Sequence, residues 1–140
     1  MNILYLEDDG AQAMIVSDFL QRTGHTVTHV KDLDAAKRYL PEDFDLLLAD
    51  NLLPDGTGLD LAKLWTGRIK IIFLSAETDP KYTIEFQMLG MYQQKAGIGY
   101  DTPQMMGDLE KLLSAVQWYM EKQINIVAND SSTVNVEVNE

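Results

Sequence analysis

The chain has no cysteine, which excludes disulfides, thiolate metal centres and cysteine nucleophiles. It is also short of positive charge. Eleven lysines and arginines stand against 22 aspartates and glutamates, a formal net charge of −11, and no run of Lys or Arg occurs. Affinity for nucleic acid rests on cationic contacts to phosphates, so no nucleic-acid partner is expected. No apolar run approaches membrane-spanning length, and Met1-Asn2-Ile3 does not open the charged and apolar regions of a secretory leader. These absences lead us to expect a cytoplasmic protein with no membrane partner. Gly56-x-Gly58 lacks the third glycine of a dinucleotide loop, and His25 and His29 have no clustered partner with which to hold a metal.

What is present points to one domain with a real core: 140 residues, 46% of them hydrophobic. Residues 2–6 read as a buried strand. Ile15, Val16, Phe19 and Leu20 recur at helical spacing, and Gly24 stands where a helix-ending glycine belongs. A β-branched stretch follows from Thr26 to Val30. Asp32 is placed to cap a helix through Ala35, Ala36, Tyr39 and Leu40, stopped by Pro41. Residues 45–49 form the next apolar run, then a loop rich in turn residues, Asp50 to Gly58, and a helix through Leu59, Leu61, Ala62, Leu64 and Trp65. Residues 69–74 give the strongest strand signal. Asp79-Pro80 marks a helix start, Met91 to Gln94 reads as a fifth strand, and Met105, Leu109, Leu112, Leu113, Val116 and Met120 form a helical stripe. Five β-α repeats predict an α/β fold, a doubly wound five-stranded parallel sheet with helices on both faces.

Charged residues fall at the ends of these strands. Glu7 and Asp8 follow the first, Asp50 the third and Lys95 the fifth, with the hydroxyl of Ser75 after the fourth. In a parallel sheet these positions gather along the carboxyl edge, where ligands bind. Three carboxylates there offer hard oxygens suited to Mg²⁺, and a lysine adds a counterion for phosphate. Phosphoryl transfer needs a positioned nucleophile, a metal and further donors for the phosphoryl oxygens. A carboxylate such as Asp50 can be that nucleophile, forming an acyl phosphate.

In this order the motifs resemble the receiver domain of the two-component response-regulator family. Ile3-Leu4-Tyr5-Leu6-Glu7-Asp8-Asp9 resembles its opening strand and acidic pair. Asp50-Asn51-Leu52-Leu53-Pro54-Asp55-Gly56-Thr57-Gly58 resembles its phosphoacceptor loop, Ser75-Ala76 its Thr/Ser-Ala, and Tyr92-Gln93-Gln94-Lys95 its fifth strand. The resemblance covers residues 1–122. It implies the flavodoxin-like strand order 2-1-3-4-5, and phosphorylation of Asp50 by a sensor histidine kinase or a histidine phosphotransfer protein. It implies Mg²⁺ held by Glu7, Asp8, Asp50 and the Leu52 carbonyl, with Ser75 and Lys95 on the phosphoryl group. It further implies a switch through Ser75 and Tyr92, slow aspartyl-phosphate hydrolysis tuned at Leu52 and Glu77, and a downstream protein partner.

The chain departs from the family in two places. Ala96 follows the lysine, where proline is usual, and Gly99-Tyr100-Asp101-Thr102-Pro103 also resembles the family's strand-five ending. Residues 123–140 break the β-α pattern. Ile124-Asn125-Ile126-Val127 and residues 133–138 alternate apolar and polar around Asn129-Asp130-Ser131-Ser132, which reads either as a β-hairpin or as a disordered tail. A hairpin's apolar face would need a covering surface, so self-association into a homodimer is an expectation attached to it. The tail is too short for a DNA-reading output domain. The leading expectation is therefore a stand-alone phosphoacceptor receiver. The alternative is a receiver-fold scaffold or dimerisation module with little phosphotransfer. A phosphohydrolase would need a second carboxylate two residues after the nucleophile, where this chain has Leu52.

Overall fold

The computed structural model describes residues 1–96 and 101–132, in two units, Met1–Met106 and Gly107–Glu140. In the first unit five parallel strands form one sheet: β1 (Asn2–Leu6), β2 (Thr26–Val30), β3 (Leu46–Ala49), β4 (Lys70–Ser75) and β5 (Met91–Gln94). Their order is 2-1-3-4-5, the doubly wound arrangement anticipated above. The connections carry α1 (Gly10–Arg22), α2 (Leu33–Ala36), α3 (Gly58–Trp65) and α4 (Pro80–Leu89), and α5 spans Thr102–Ser132. β1, β3 and β4 are apolar along nearly their whole length and almost fully buried, as strands covered on both faces must be. On one face Leu4, Leu6, Leu47, Ala49, Ile71 and Phe73 pack with Leu59, Leu61, Ala62 and Trp65 of α3 and Phe86 of α4.

Local signals set the helix ends. Asp9 caps α1 by accepting from the Ala11 and Gln12 amides, and Gly24 follows its end at φ +93°, a conformation glycine adopts without Cβ strain. The buried side of α1 is Ala13, Val16 and Leu20. Ile15, expected in that stripe, is exposed, because it lies one helical step off the i, i+3, i+7 line. α2 is shorter than expected. It closes after Ala36, Arg38 and Tyr39 turn their amides to Ala35 and Ala36, and Tyr39 and Leu40 are exposed. Pro41 disfavours helical backbone at Leu40, which is extended at φ −100°, ψ 132°.

The other correction concerns the tail. Residues 124–127, expected as the first arm of a hairpin, lie within α5. Ile124 and Val127 are three apart as well as partly alternating, and the preceding Leu-, Met-, Glu- and Lys-rich sequence carries the helix through them. That removes this arm's strand face, on which self-association was expected to rest. The second arm, residues 133–138, lies outside the described residues. Among the described residues no helix is long and apolar enough to cross a membrane.

Candidate functional site

Parallel pairing sets Leu6, Ala49 and Phe73 side by side, and β4 runs on to Ser75, paired with Gln94 at the end of β5. The next residues along the chain therefore meet at the carboxyl edge. Carboxylate oxygens of Glu7, Asp8 and Asp50 lie within 4.8 Å of one another. Glu7 is fully buried, Asp50 is 8% exposed, and Asp8 is exposed. Three adjacent acids in the sequence are thus sorted by their surroundings. Asp9 is spent on the α1 cap, and its own amide donates to Glu7 Oε2 at 3.2 Å, which leaves Glu7 and Asp8 as the pair.

Lys95 follows β5 directly, its amide donating to the Ser75 carbonyl at 2.8 Å. That placement decides between the two candidate endings of strand five, since Thr102 and Pro103 belong to α5. Lys95 Nζ stands 2.6 Å from Glu7 Oε1 and 3.1 Å from Asp50 Oδ2. Asp50 Oδ1 accepts from the Asn51 amide at 2.8 Å, so its two oxygens have different partners. Burial pulls the Lys95 ammonium down, but its bond to Glu7 and the charges of Asp50 and Glu7 outweigh that and hold it above its usual range. Burial pushes Glu7 up to about 7; Lys95 opposes the rise and Asp50 adds to it. The lysine faces two anions, whereas Glu7 faces one cation and one anion, and so only the lysine recovers the cost of desolvation.

The donor set fits a hard divalent cation. It consists of three carboxylates, and Glu7 Oε1 is buried with the Lys95 ammonium, 2.6 Å away, beside it. Such an oxygen is suited to a metal ligand role. Beside it opens a cleft of about 290 Å³ lined by Asp50, Leu52, Ser75, Ala76, Glu77, Thr78 and Lys95. Ser75 Oγ accepts from the Glu77 amide at 3.1 Å, which leaves its own proton for a ligand in the cleft. Glu77 turns its carboxylate back on the chain, accepting from the Thr78 and Asp79 amides at 3.1 and 3.0 Å. The Tyr92 hydroxyl donates to the Glu77 carbonyl at 2.6 Å, and its ring stacks on Phe86, which stacks on Phe73.

Sequence reasoning placed Asn51 and Gly58 in the loop but missed how they shape this site. The carbonyl of Asn51, 2% exposed, accepts from the Gly58 amide at 2.8 Å, and its side chain accepts from the Leu59 amide at 3.3 Å. Gly58 itself permits the close approach of α3, since a Cβ there would sit 2.1 Å from the Asp50 carbonyl oxygen. The signal available was a polar residue two positions after a buried strand, eight residues before the leucine whose amide it caps.

A response regulator receiver domain model matches residues 3–94. Over 90 residues the chain is 33% identical to the two-component response regulator ARR10 of Arabidopsis thaliana, covering 61% of this chain and 16% of that protein. The chain thus spans only a small part of that curated relative. Among solved structures it resembles the non-phosphorylated HemR receiver domain from Leptospira biflexa, with a TM-score of 0.70 and 26% identity over 81% of this chain and 94% of that one. It also resembles the response regulator TrrA from Thermotoga maritima in complex with Mg²⁺-BeF, with a TM-score of 0.67 and 18% identity over 82% and 97% of the two chains. The second likeness concerns the fold alone.

Proposed function

The chain belongs to the response regulator receiver family of two-component signalling, and from that premise we propose that it accepts a phosphoryl group on Asp50 from a phosphohistidine donor. The donor would be a sensor histidine kinase or a histidine phosphotransfer protein. The observation that carries the reading is the position of Lys95 Nζ, in contact with both Glu7 and Asp50 at the mouth of the cleft. A receiver needs that combination: a fixed carboxylate nucleophile, a cation for the incoming phosphoryl oxygens, and an adjacent acidic pair.

Glu7, Asp8, Asp50 and the Leu52 carbonyl would hold Mg²⁺. Bound there, the ion would offset the charge of the phosphoryl oxygens and the repulsion between donor and nucleophile. The rest falls to the chain. An Asp50 carboxylate oxygen attacks phosphorus, the P–N bond to the donor's imidazole breaks, and the imidazole leaves with that electron pair. Lys95 moves its charge from the two carboxylates toward a phosphoryl oxygen, and the Ser75 hydroxyl donates to another. Recruiting Ser75 pulls on the Glu77 amide it holds, and Glu77 is the residue whose carbonyl accepts from Tyr92. The acyl phosphate would then be reported to a downstream protein through that face.

Incubation with a small acyl-phosphate donor and Mg²⁺, read by intact mass, tests the reading. We expect one phosphoryl group per chain, lost on mild base, dependent on Mg²⁺ and absent in Asp50→Asn. Uptake that persists in Asp50→Asn would place the site elsewhere. No uptake in the unaltered chain from either a small donor or a phosphohistidine donor would favour the scaffold reading.

A further inference from the structure

Lys95 stands one residue beyond the last paired residue of β5, so the sheet holds its backbone from one side only, through its amide on the Ser75 carbonyl. The next amide, that of Ala96, has left the ladder and is partly buried. A buried amide without an acceptor is costly. Its acceptor is a sulfur: the Ala96 N–H donates to Met105 Sδ at 3.1 Å. The same sulfur receives a second donor, Gln12 Nε2 of α1, at 3.7 Å. Met105 is fully buried and sits in the first turn of α5. That turn is itself anchored, because the Met105 amide donates to the Asp101 carbonyl at 3.0 Å and Asp101 Oδ1 accepts from the Gln104 amide at 2.8 Å.

We propose that Met105 is a positioning residue for Lys95, its thioether fixing the backbone just beyond the lysine so that the ammonium reaches Glu7 and Asp50. An apolar residue at this place in the core would satisfy packing equally well. Leucine would match the volume of methionine and supply no acceptor. Two N–H donors from different parts of the chain converge on this one sulfur, and one of them belongs to the residue after the lysine. That pattern assigns the sulfur a role beyond filling space. Releasing the Ala96 amide would let the Lys95 backbone rotate, and displacement of a charged group by about 1 Å costs up to roughly a hundredfold in rate.

The inference rests on the phosphoacceptor reading for its kinetic consequence, but its structural core can be tested without it. In the unaltered full chain, the Ala96 amide is expected to exchange with solvent at least tenfold more slowly than in Met105→Leu, by NMR. Equal exchange in the two overturns the proposal. If Met105→Leu does not fold, random-coil exchange at Ala96 in the unaltered chain overturns it instead. With a small acyl-phosphate donor and Mg²⁺, at a temperature where both proteins are fully folded, Met105→Leu is expected to be phosphorylated on Asp50 about tenfold more slowly, its unfolding midpoint falling only modestly through the lost acceptor. An unchanged rate overturns the positioning role. A conservative variant separates positioning from general packing. Met105→Gln keeps an acceptor at similar reach and is expected to recover most of the phosphorylation rate and the slow Ala96 exchange; a Met105→Gln no faster than Met105→Leu contradicts the proposal. Should the unaltered chain take up no phosphate, the functional reading fails while the exchange measurement still decides this one.

Discussion

Glu7→Gln is expected to stabilise the metal-free protein above neutral pH, although it removes half of an ion pair. Glu7 is fully buried, and burial holds its pKa at about 7 against an ordinary value of 4.5, Lys95 notwithstanding. Each tenfold change in proton affinity corresponds to about 1.4 kcal/mol. An acid whose folded pKa is raised contributes its stability in full below the unfolded value and loses it as pH rises through the folded one. Here the loss runs from about pH 4.5 to about pH 7 and amounts to roughly 3 kcal/mol once Glu7 is ionised in both states. Glutamine is a neutral isostere of the protonated acid and escapes that loss. Urea unfolding in chelator-containing buffer, at a series of pH values, should show the two proteins nearly equal near pH 4.5 and the variant more stable by about 2–3 kcal/mol at pH 8. Saturating Mg²⁺ should reverse the order, because it binds the folded parent through a carboxylate the variant lacks. Parallel stability profiles for the two proteins in the absence of metal would refute the reasoning.

Asp8→Ala should weaken Mg²⁺ binding at least tenfold by calorimetry while leaving the circular dichroism of the fold unchanged, since Asp8 is exposed and supports no element. Glu77→Ala should alter the aspartyl-phosphate half-life by less than threefold in a dephosphorylation time course, because the carboxylate is committed to the Thr78 and Asp79 amides; that half-life is expected to be minutes or longer. Losing those bonds should cost about 1 kcal/mol in urea unfolding. Gly58→Ala should destabilise the fold by roughly 2–4 kcal/mol, because its Cβ would meet the Asp50 carbonyl oxygen at 2.1 Å, and main chain cannot yield as a flexible side chain would.

The sheet was legible because its strands are short runs buried on both faces, such as Leu46–Ala49, and each is followed by a different helical period. Helix starts at Asp32 and Asp79 were legible because their side chains cap the following backbone, and both do so here. The length of α2 was not legible from apolar spacing, since Tyr39 and Leu40 keep the period while Pro41 denies the conformation. The course of residues 124–127 was equally ambiguous, four residues being too few to separate a period of 2 from one of 3.6. For the site, residue type at strand ends indicated which side chains meet. The choice of Asp8 over Asp9 came from the family resemblance, and its physical reason is the α1 cap that Asp9 supplies; the acceptor for the Ala96 amide, a contact between residues nine apart, was not legible.

The central claim is that Asp50 is the nucleophile, and reductive trapping tests it most directly. The protein is phosphorylated by a small acyl-phosphate donor with Mg²⁺, reduced with borohydride, digested and sequenced by mass spectrometry. The account predicts homoserine at position 50, with unmodified acid at Glu7, Asp8 and Glu77. Reduction at one of those positions, with Asp50 intact in a protein that has taken up one phosphoryl group, would contradict it.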